Sequence, residues 1–191
     1  MKFESKVLIS ELEQMTQNHL AKLKEWKNLD FDELNYKPTQ DSWSALECVE
    51  HLNRYAEFYM PEIGNRIKES QTQPNSYFSS GVLGNYFAKS MEPKPKLNKM
   101  KTFKSMNPNN SDLDLAVLDK LIKFEETLLQ HLNVAKTVDL KKVKTSITIS
   151  KLIKLRLGDT FRFYINHIER HFLQAERAMA HATTQTSINM A

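Results

Sequence analysis

The chain has 191 residues, of which 40% are hydrophobic and 26% are charged, and its formal net charge is +4. This length and composition predict one soluble globular domain with its own hydrophobic core. The absence of any run of about 18 apolar residues argues against a membrane-spanning helix, and the early acidic residues argue against a secretory signal. The one cysteine, Cys48, excludes an internal disulfide and favours a reducing, cytoplasmic location.

Glycine and proline are scarce, with four and six residues in the whole chain, so long helices are favoured over many short strands. The first amphipathic helix is predicted over residues 4–26, and residues 28–42 are predicted to form a connection. The second helix is predicted to begin after Ser44, because Ser44 and Glu47 have the spacing of a capping box. Pro61 predicts a kink inside this second helix.

The middle of the chain is predicted to be the least regular part. Residues 71–111 contain most of the prolines and are expected to form a long loop, with one short helix around 81–90. A third long helix is predicted over residues 112–135, with Ser111 and Asp112 as its capping residues.

The last long helix is predicted near residues 151–181. The β-branched residues of 140–150 indicate either a short extended segment or a loop before it. Gly158 predicts a break in this helix and Asp159 a new cap. Four long helices in this order predict an all-α protein, a four-helix bundle with a long crossover connection.

The segment HIERHFLQ, residues 167–174, carries His167 and His171 four residues apart. On a helix this spacing places both imidazoles on one face, about 6 Å apart along the axis. Such a pair can bind one metal ion, as in the HExxH helix of zinc proteases, although Ile168 stands where that motif has its glutamate. The pair is weak evidence by itself, and a metal site needs a third ligand.

His51 is the best candidate for the third ligand, because it lies within the apolar stripe of the second helix. A histidine that faces the core loses its hydration and needs a partner. His51 is therefore either a structural residue bonded to a backbone carbonyl or the third ligand of a site that spans two helices. Neutral imidazole suits zinc, nickel, copper and iron, so the ligand type leaves the metal open.

The other histidines and Cys48 are weaker candidates for metal ligands. His181 lies about 15 Å along the helix axis from His171, beyond the reach of the same ion. His19 and His131 stand beside leucines near helix ends, which favours surface or boundary positions. Cys48 is predicted to be a small buried hydrophobic residue.

Two segments together resemble the DinB/YfiT-like superfamily: DSWSALECVEHLNRY, residues 41–55, and LRLGDTFRFYINHIERHFLQAERAM, residues 155–179. The shared elements are a Trp-Ser helix start, a histidine seven residues after that serine, and a C-terminal HxxxHxxQ. The matching residues are Trp43, Ser44, His51, His167, His171 and Gln174. The resemblance covers about residues 1–181 as a single domain and leaves 182–191 as a polar tail.

The resemblance implies a four-helix bundle that holds a divalent metal, with zinc or nickel preferred, on His51, His167 and His171. It also implies a homodimer. Members of the family transfer low-molecular-weight thiols such as bacillithiol or mycothiol onto electrophiles, or isomerise maleylpyruvate, and others are described only as metal-dependent hydrolases. The expected function is therefore that of a metal-dependent enzyme acting on a small-molecule substrate, either a thiol-dependent S-transferase or a hydrolase.

Three neutral ligands would leave the ion its full charge and at least one open coordination position, as in catalytic sites. Such an ion can acidify a water or deprotonate a thiol, so the ligands leave hydrolase and transferase open. Four residues are candidates for contacts with the ligands or the substrate: Gln174, Glu47, Tyr55 and Tyr164. Each has a simpler alternative, which is a surface glutamine, a capping glutamate or a core tyrosine.

Two other functions compete with the enzyme. A non-catalytic metal-binding or stress-response protein would keep the metal site without turnover. A pI of 9.0 and the basic stretches 94–104 and 141–156 allow nucleic-acid binding, but no recognition motif or interleaved aromatic pattern supports it. The stretch 94–104 is expected to be a solvated loop, with an anion-attracting rim as the alternative.

Overall fold

The computed structural model of the chain describes residues 1–93 and 101–189, with the backbone alone for Lys151 and residues 183–189. Residues 94–100 of the basic stretch and the last two residues of the tail therefore lie outside the described residues. The elements in chain order are β1 (Lys2–Glu4), α1 (Ser5–Trp26), α2 (Phe31–Asn35), α3 (Ala45–Lys68), β2 (Tyr77–Ser79), α4 (Val82–Met91), a 3₁₀ turn (Lys104–Met106), α5 (Ala116–Ala135), β3 (Lys144–Ile147), β4 (Ser150–Arg156) and α6 (Leu157–Asn189).

The described part of the chain is mostly helical, with two small antiparallel sheets. The N-terminal strand β1 pairs with β2, and Phe3 stands opposite Phe78 in that pair. Strands β3 and β4 form a hairpin directly before α6. None of the helices in the described part of the chain is both long enough and apolar enough to cross a membrane.

The predicted start of α3 is confirmed in its details. The Ser44 hydroxyl accepts the backbone N–H of Glu47 at 3.1 Å, and the Glu47 carboxylate accepts the backbone N–H of Ser44 at 3.0 Å. Both bonds satisfy N–H groups that have no partner within the helix. The helix then continues through Pro61 to Lys68.

The predicted caps of the third long helix are wrong. This helix, α5, begins at Ala116, where the Asp114 carboxylate accepts the Ala116 N–H at 2.8 Å. Ser111 is engaged elsewhere, because its hydroxyl accepts a hydrogen bond from the Arg54 guanidinium of α3 at 3.3 Å. Ser111 and Asp112 also lie more than one position before the N-cap, Leu115, so neither is the capping residue.

The last long helix begins later than predicted, because residues 150–156 form β4 and pair with β3. The N–H groups of Leu157 and Gly158 donate to the carbonyls of Val143 and Leu140, so the turn that precedes β3 satisfies part of the first turn of α6. Gly158 therefore lies inside α6 and breaks nothing. The backbone of α6 continues to Asn189, past the predicted end near residue 181.

Helix α6 lies at the centre of the packing. It contacts α1, α2, α3 and α4, while α5 packs on α1 and α3. Since α6 has neighbours on several sides, most of its side chains from Leu157 to Phe172 are buried, polar ones included. The site described below is built from those buried polar residues.

Gly84 allows α4 to lie close to the start of α6. A Cβ atom at Gly84 would lie 2.5 Å from the Cβ and Cγ atoms of Asp159, whose buried carboxylate accepts hydrogen bonds from the Ser80 hydroxyl and the Gly81 N–H. Overpacking of this kind costs about 1–3 kcal/mol, more than the gain of about 1 kcal/mol from alanine in a helix. We expect Gly84→Ala to lower the free energy of unfolding by about 1–2 kcal/mol in urea titrations.

Gly81→Ala is the matched control for this prediction. A Cβ atom at Gly81 would lie 3.4 Å from the nearest atom of Asp159, an ordinary contact, and its φ of −75° suits alanine. The loss of stability in Gly81→Ala is expected to be smaller than in Gly84→Ala. Equal stability of the Gly84→Ala protein and the wild type would contradict this account of the α4–α6 packing.

Candidate metal centre

Helices α3 and α6 bring three histidines together in the core. His51 lies on the buried face of α3, beside Leu52 and Tyr55, and His167 and His171 lie one turn apart on α6. All three are nearly inaccessible to solvent, with exposures of 2%, 4% and 8%. Because α3 and α6 pack directly against each other, residues 116 positions apart in the chain become neighbours.

The spacing of the nitrogen atoms suits a single metal ion. One ring nitrogen from each of the three histidines lies within 4.8 Å of the others. The Nε2 atoms of His51 and His167 are 3.3 Å apart. A tetrahedral zinc ion with Zn–N bonds of about 2.0–2.1 Å separates neighbouring nitrogens by about 3.3–3.4 Å. The pair is therefore already at the spacing that such an ion needs.

A backbone carbonyl orients the His51 ring. The Nδ1 atom of His51 is 2.7 Å from the carbonyl oxygen of Met106, in the 3₁₀ turn, and a carbonyl can only accept a hydrogen bond. The proton of neutral His51 is therefore on Nδ1, which leaves the lone pair of Nε2 directed at His167. Metal-binding histidines commonly have such a partner on the second ring nitrogen.

Several bonds hold the loop that carries this carbonyl against α3. The Arg54 guanidinium donates to the carbonyl of Asn107 at 2.8 Å, and the Glu47 carboxylate accepts the backbone N–H of Asn110 at 2.6 Å. Lys37 joins the side chains of Asn109 and Glu47. Glu47 thus closes the predicted capping box and also holds the loop that orients His51.

The three imidazoles are neutral near pH 7. Burial lowers the pKa of His51 to about 4. The nearby charge of Arg54 also lowers this pKa, whereas the hydrogen bond to the Met106 carbonyl raises it. Burial also lowers the pKa of His167 and of His171 well below 6.5, and the charge of Arg170 lowers both further. Neutral imidazole is the form that binds a metal, so the three histidines need not lose a proton first.

His167 gives a further sign that the site suits a cation. Its Nδ1 atom is buried and has no hydrogen-bond partner among the described residues, while its Nε2 atom faces another imidazole. A buried polar side chain with so little satisfaction is costly in a core. An ion bound between the imidazoles would use the lone pairs of the Nε2 atoms of His51 and His167, which face each other at 3.3 Å.

The three histidines line a cavity of about 920 Å³. Tyr55 and Gln174, both predicted as pocket residues, line this cavity, and a hydrogen bond between His171 and the Gln174 side chain raises the pKa of His171 against the effect of burial. Tyr164, predicted to line it as well, does not belong to its described lining. Its side chain is fully buried and packs on Tyr59, because Tyr164 lies two turns before His171, about 10 Å along the axis of α6.

The remaining histidines and Cys48 lie outside the cluster. His19 is fully buried between Glu125 and Glu169, so the predicted surface or boundary position is wrong. His131 is half-buried, as predicted for a boundary residue, with Nε2 3.0 Å from the Met60 carbonyl. Cys48 is a buried free thiol, as predicted.

The sequence did not predict three contacts that contribute to the metal centre and its cavity. The Trp43 ring packs on both His51 and His171, the Met106 carbonyl orients His51, and Arg170 lines the cavity. Arg170 directly precedes His171, and this position on the ligand helix could have indicated it. A backbone carbonyl carries no signal in the sequence, so Met106 could not have been found.

No curated protein and no solved structure matches the chain significantly. A profile of the DinB superfamily matches residues 11–175, which include α3, the first part of α6 and all three histidines. The match covers most of the chain and agrees with the family resemblance of its two histidine segments. The chain belongs to the DinB superfamily.

Proposed function

We propose that this protein is a metal-dependent enzyme that binds one divalent ion, zinc or nickel, on His51, His167 and His171. The proposal rests on the three-histidine cluster, which is buried, neutral and part of the lining of a large cavity. Closed structural zinc sites use four protein ligands, whereas three leave a position for water or substrate. The four long helices α1, α3, α5 and α6 contact one another in the pairs expected for a four-helix bundle, which we infer as the architecture.

Neighbouring residues would hold the three histidines in their metal-binding orientation before any substrate binds. Met106 and the loop around it hold His51 in the tautomer that directs Nε2 into the cluster. The rings of Trp43, Tyr55 and Phe163 pack against the histidines and limit the access of water. A divalent ion held there supplies Lewis-acid chemistry, since it lowers the pKa of a water or thiol that coordinates it.

Between the two reaction classes we favour thiol transfer over hydrolysis. Metal-dependent hydrolysis commonly uses a carboxylate as general base, the role of the glutamate in the HExxH motif. Among the described residues that line the cavity, Asp41 is the one acid, and it is exposed at the rim. A thiol that binds the metal is deprotonated by the metal and needs no such base. The homodimer and the cytoplasmic location stay predictions.

The test begins with metal content. Protein purified without a polyhistidine tag and incubated with zinc, nickel or manganese is expected to retain about one ion per chain, measured by mass spectrometry. The loaded protein is then assayed with glutathione, bacillithiol or mycothiol and chlorodinitrobenzene as the electrophile, and separately with para-nitrophenyl acetate. Thiol conjugation that requires the metal supports the transferase.

The outcomes separate the competing functions. Ester cleavage without thiol conjugation would favour the hydrolase. One ion per chain with no turnover of either substrate class would favour a non-catalytic metal-binding protein. A protein that retains no ion after all three incubations would contradict the metal site and the enzyme together.

A further inference from the structure

The charges around the cavity are distributed unevenly between its rim and its interior. Its described lining residues include three that are charged at pH 7, namely Asp41, Lys101 and Arg170. Asp41 and Lys101 are exposed, whereas Arg170 is 7% exposed. Water and salt screen charges at an exposed rim far more than a buried charge. Among these three residues, Arg170 therefore has the charge that solvent screens least.

Arg170 lies beside the candidate metal ligands. It directly precedes His171 on α6, and its side chain lines the same cavity as the three histidines. Its guanidinium has five N–H donors in a planar fork, which matches the two oxygens of a carboxylate. Arg170 also has a partner within the chain, and five donors allow it to keep that interaction while it binds a ligand.

The remaining wall of the cavity suits an apolar body. Six aromatic side chains contribute to it: Trp43, Tyr55, Tyr86, Phe87, Phe103 and Phe163. A volume of about 920 Å³ lies within the range of about 300–1,000 Å³ found for pockets that bind ligands of drug size. An aromatic wall with one buried cation is complementary to a molecule that is apolar over most of its surface and carries a single negative charge.

We propose that Arg170 is a specificity-determining residue that binds the carboxylate of an amphipathic substrate, whose apolar part packs on the aromatic wall. One guanidinium matches a carboxylate in both charge and shape, whereas a phosphate dianion would keep an excess negative charge. The inference deepens the proposed function, since it names the class of substrate that would reach the metal. The carboxylate preference itself requires Arg170 and does not require the metal.

The test uses a matched pair of probes, 2-naphthoate and the neutral 2-naphthylmethanol, measured by titration calorimetry. Wild-type protein is expected to bind the naphthoate at least about tenfold more tightly than the alcohol, in both the metal-free and the zinc-loaded form. Arg170→Gln, which is neutral and of similar length, is expected to lose most of this preference in the metal-free form. Its zinc content and its affinity for the alcohol are expected to stay within about twofold of wild type.

Arg170→Lys is the second variant, and it serves if Arg170→Gln does not fold. It keeps the buried charge but loses the planar fork, so its preference for the naphthoate is expected to lie below that of the wild type. Melting temperatures of both variants report whether they are folded.

Three results would overturn the assignment. They are equal binding of the two probes by wild type, no binding of the naphthoate, and an unchanged preference in metal-free Arg170→Gln. A protein that binds no zinc but prefers the naphthoate through Arg170 would contradict the proposed function and leave this inference standing. The two failures are therefore distinguishable.

Discussion

Replacement of His167 by alanine is expected to weaken zinc binding by about a hundredfold or more. Loss of a residue that only orients a metal ligand commonly costs 10- to 100-fold in affinity, so loss of a ligand should cost at least as much. His167 contacts both other members of the cluster, since its ring centroid lies 5.2 Å from that of His51 and 4.7 Å from that of His171. Competition with a chromophoric chelator measures the affinity directly.

Thermal unfolding gives a second readout of the same variant. Zinc at a hundredfold excess over its dissociation constant should stabilise the wild type by about 2.7 kcal/mol, because the ion binds the folded state alone. For a chain of this size that corresponds to about 5–10 °C in melting temperature. His167→Ala is expected to show almost none of this increase.

His131→Ala is the matched control for His167→Ala. His131 is half-buried on α5, contacts the Met60 carbonyl and does not belong to the cluster. Its removal should leave zinc affinity unchanged, although it can lower the stability of the metal-free protein. If His167→Ala bound zinc as tightly as the wild type, or if His131→Ala lost zinc to the same extent, the assignment of the three ligands would be wrong.

The second large effect is expected from a buried charge network that lies away from the cavity. The Nδ1 atom of His19 is 3.3 Å from the Glu125 carboxylate and its Nε2 atom is 2.8 Å from that of Glu169. His19 and Glu125 have fully buried side chains, and Glu169 is 26% exposed. Since a carboxylate faces each ring nitrogen, His19 can donate from both nitrogens when it is protonated. The network joins α1, α5 and α6.

His19→Leu is expected to lower the free energy of unfolding by about 3–5 kcal/mol, because it leaves the Glu125 carboxylate buried without its partner. The melting temperature should fall by about 10 °C. The double variant His19→Leu/Glu125→Leu removes both charges and is expected to recover part of the loss. As a control, Lys27→Ala breaks an exposed ion pair with Asp119 and should cost less than about 1 kcal/mol.

The network should also make stability depend on pH. Burial by itself lowers the pKa of His19, but the hydrogen bonds and charges of Glu125 and Glu169 outweigh it and raise the pKa above 6.5. The stabilisation from His19 is then complete below pH 6.5 and is lost as the pH rises through its folded-state pKa. The hydrogen bond from His19 lowers the pKa of Glu169 below 4.5, so that contribution is lost as the pH falls through its folded-state pKa.

The difference in unfolding free energy between wild type and His19→Leu is therefore expected to be largest between about pH 4.5 and 6.5. Urea titrations across the pH range measure this difference, and comparison with the variant removes the contributions of all other groups. A difference that does not change with pH would show that the three side chains do not form a coupled network. The same conclusion would follow if the loss of unfolding free energy in His19→Leu/Glu125→Leu equalled the sum of the losses in its two single variants.

The features of this protein that depend on local spacing could be predicted from the amino-acid sequence. The capping box of Ser44 and Glu47, the shared face of His167 and His171 and the helix predicted over residues 4–26, observed as Ser5–Trp26, all follow from local spacing. His51 could be named as a third ligand before the structure, although its spacing also allowed a bond to a backbone carbonyl. In the structure it has both features, since Nδ1 bonds Met106 and Nε2 faces the cluster.

The contacts between residues distant in sequence could be identified only from the tertiary structure. Residues 151–156 carry a pattern compatible with a helix, yet they form a strand because β3 offers them a pairing edge. His19 was predicted at the surface or at a boundary, yet it is buried because Glu125 and Glu169, more than 100 positions away, satisfy both ring nitrogens. Local propensity cannot report such contacts, since the free energy that decides them comes from partners that the fold alone brings within reach.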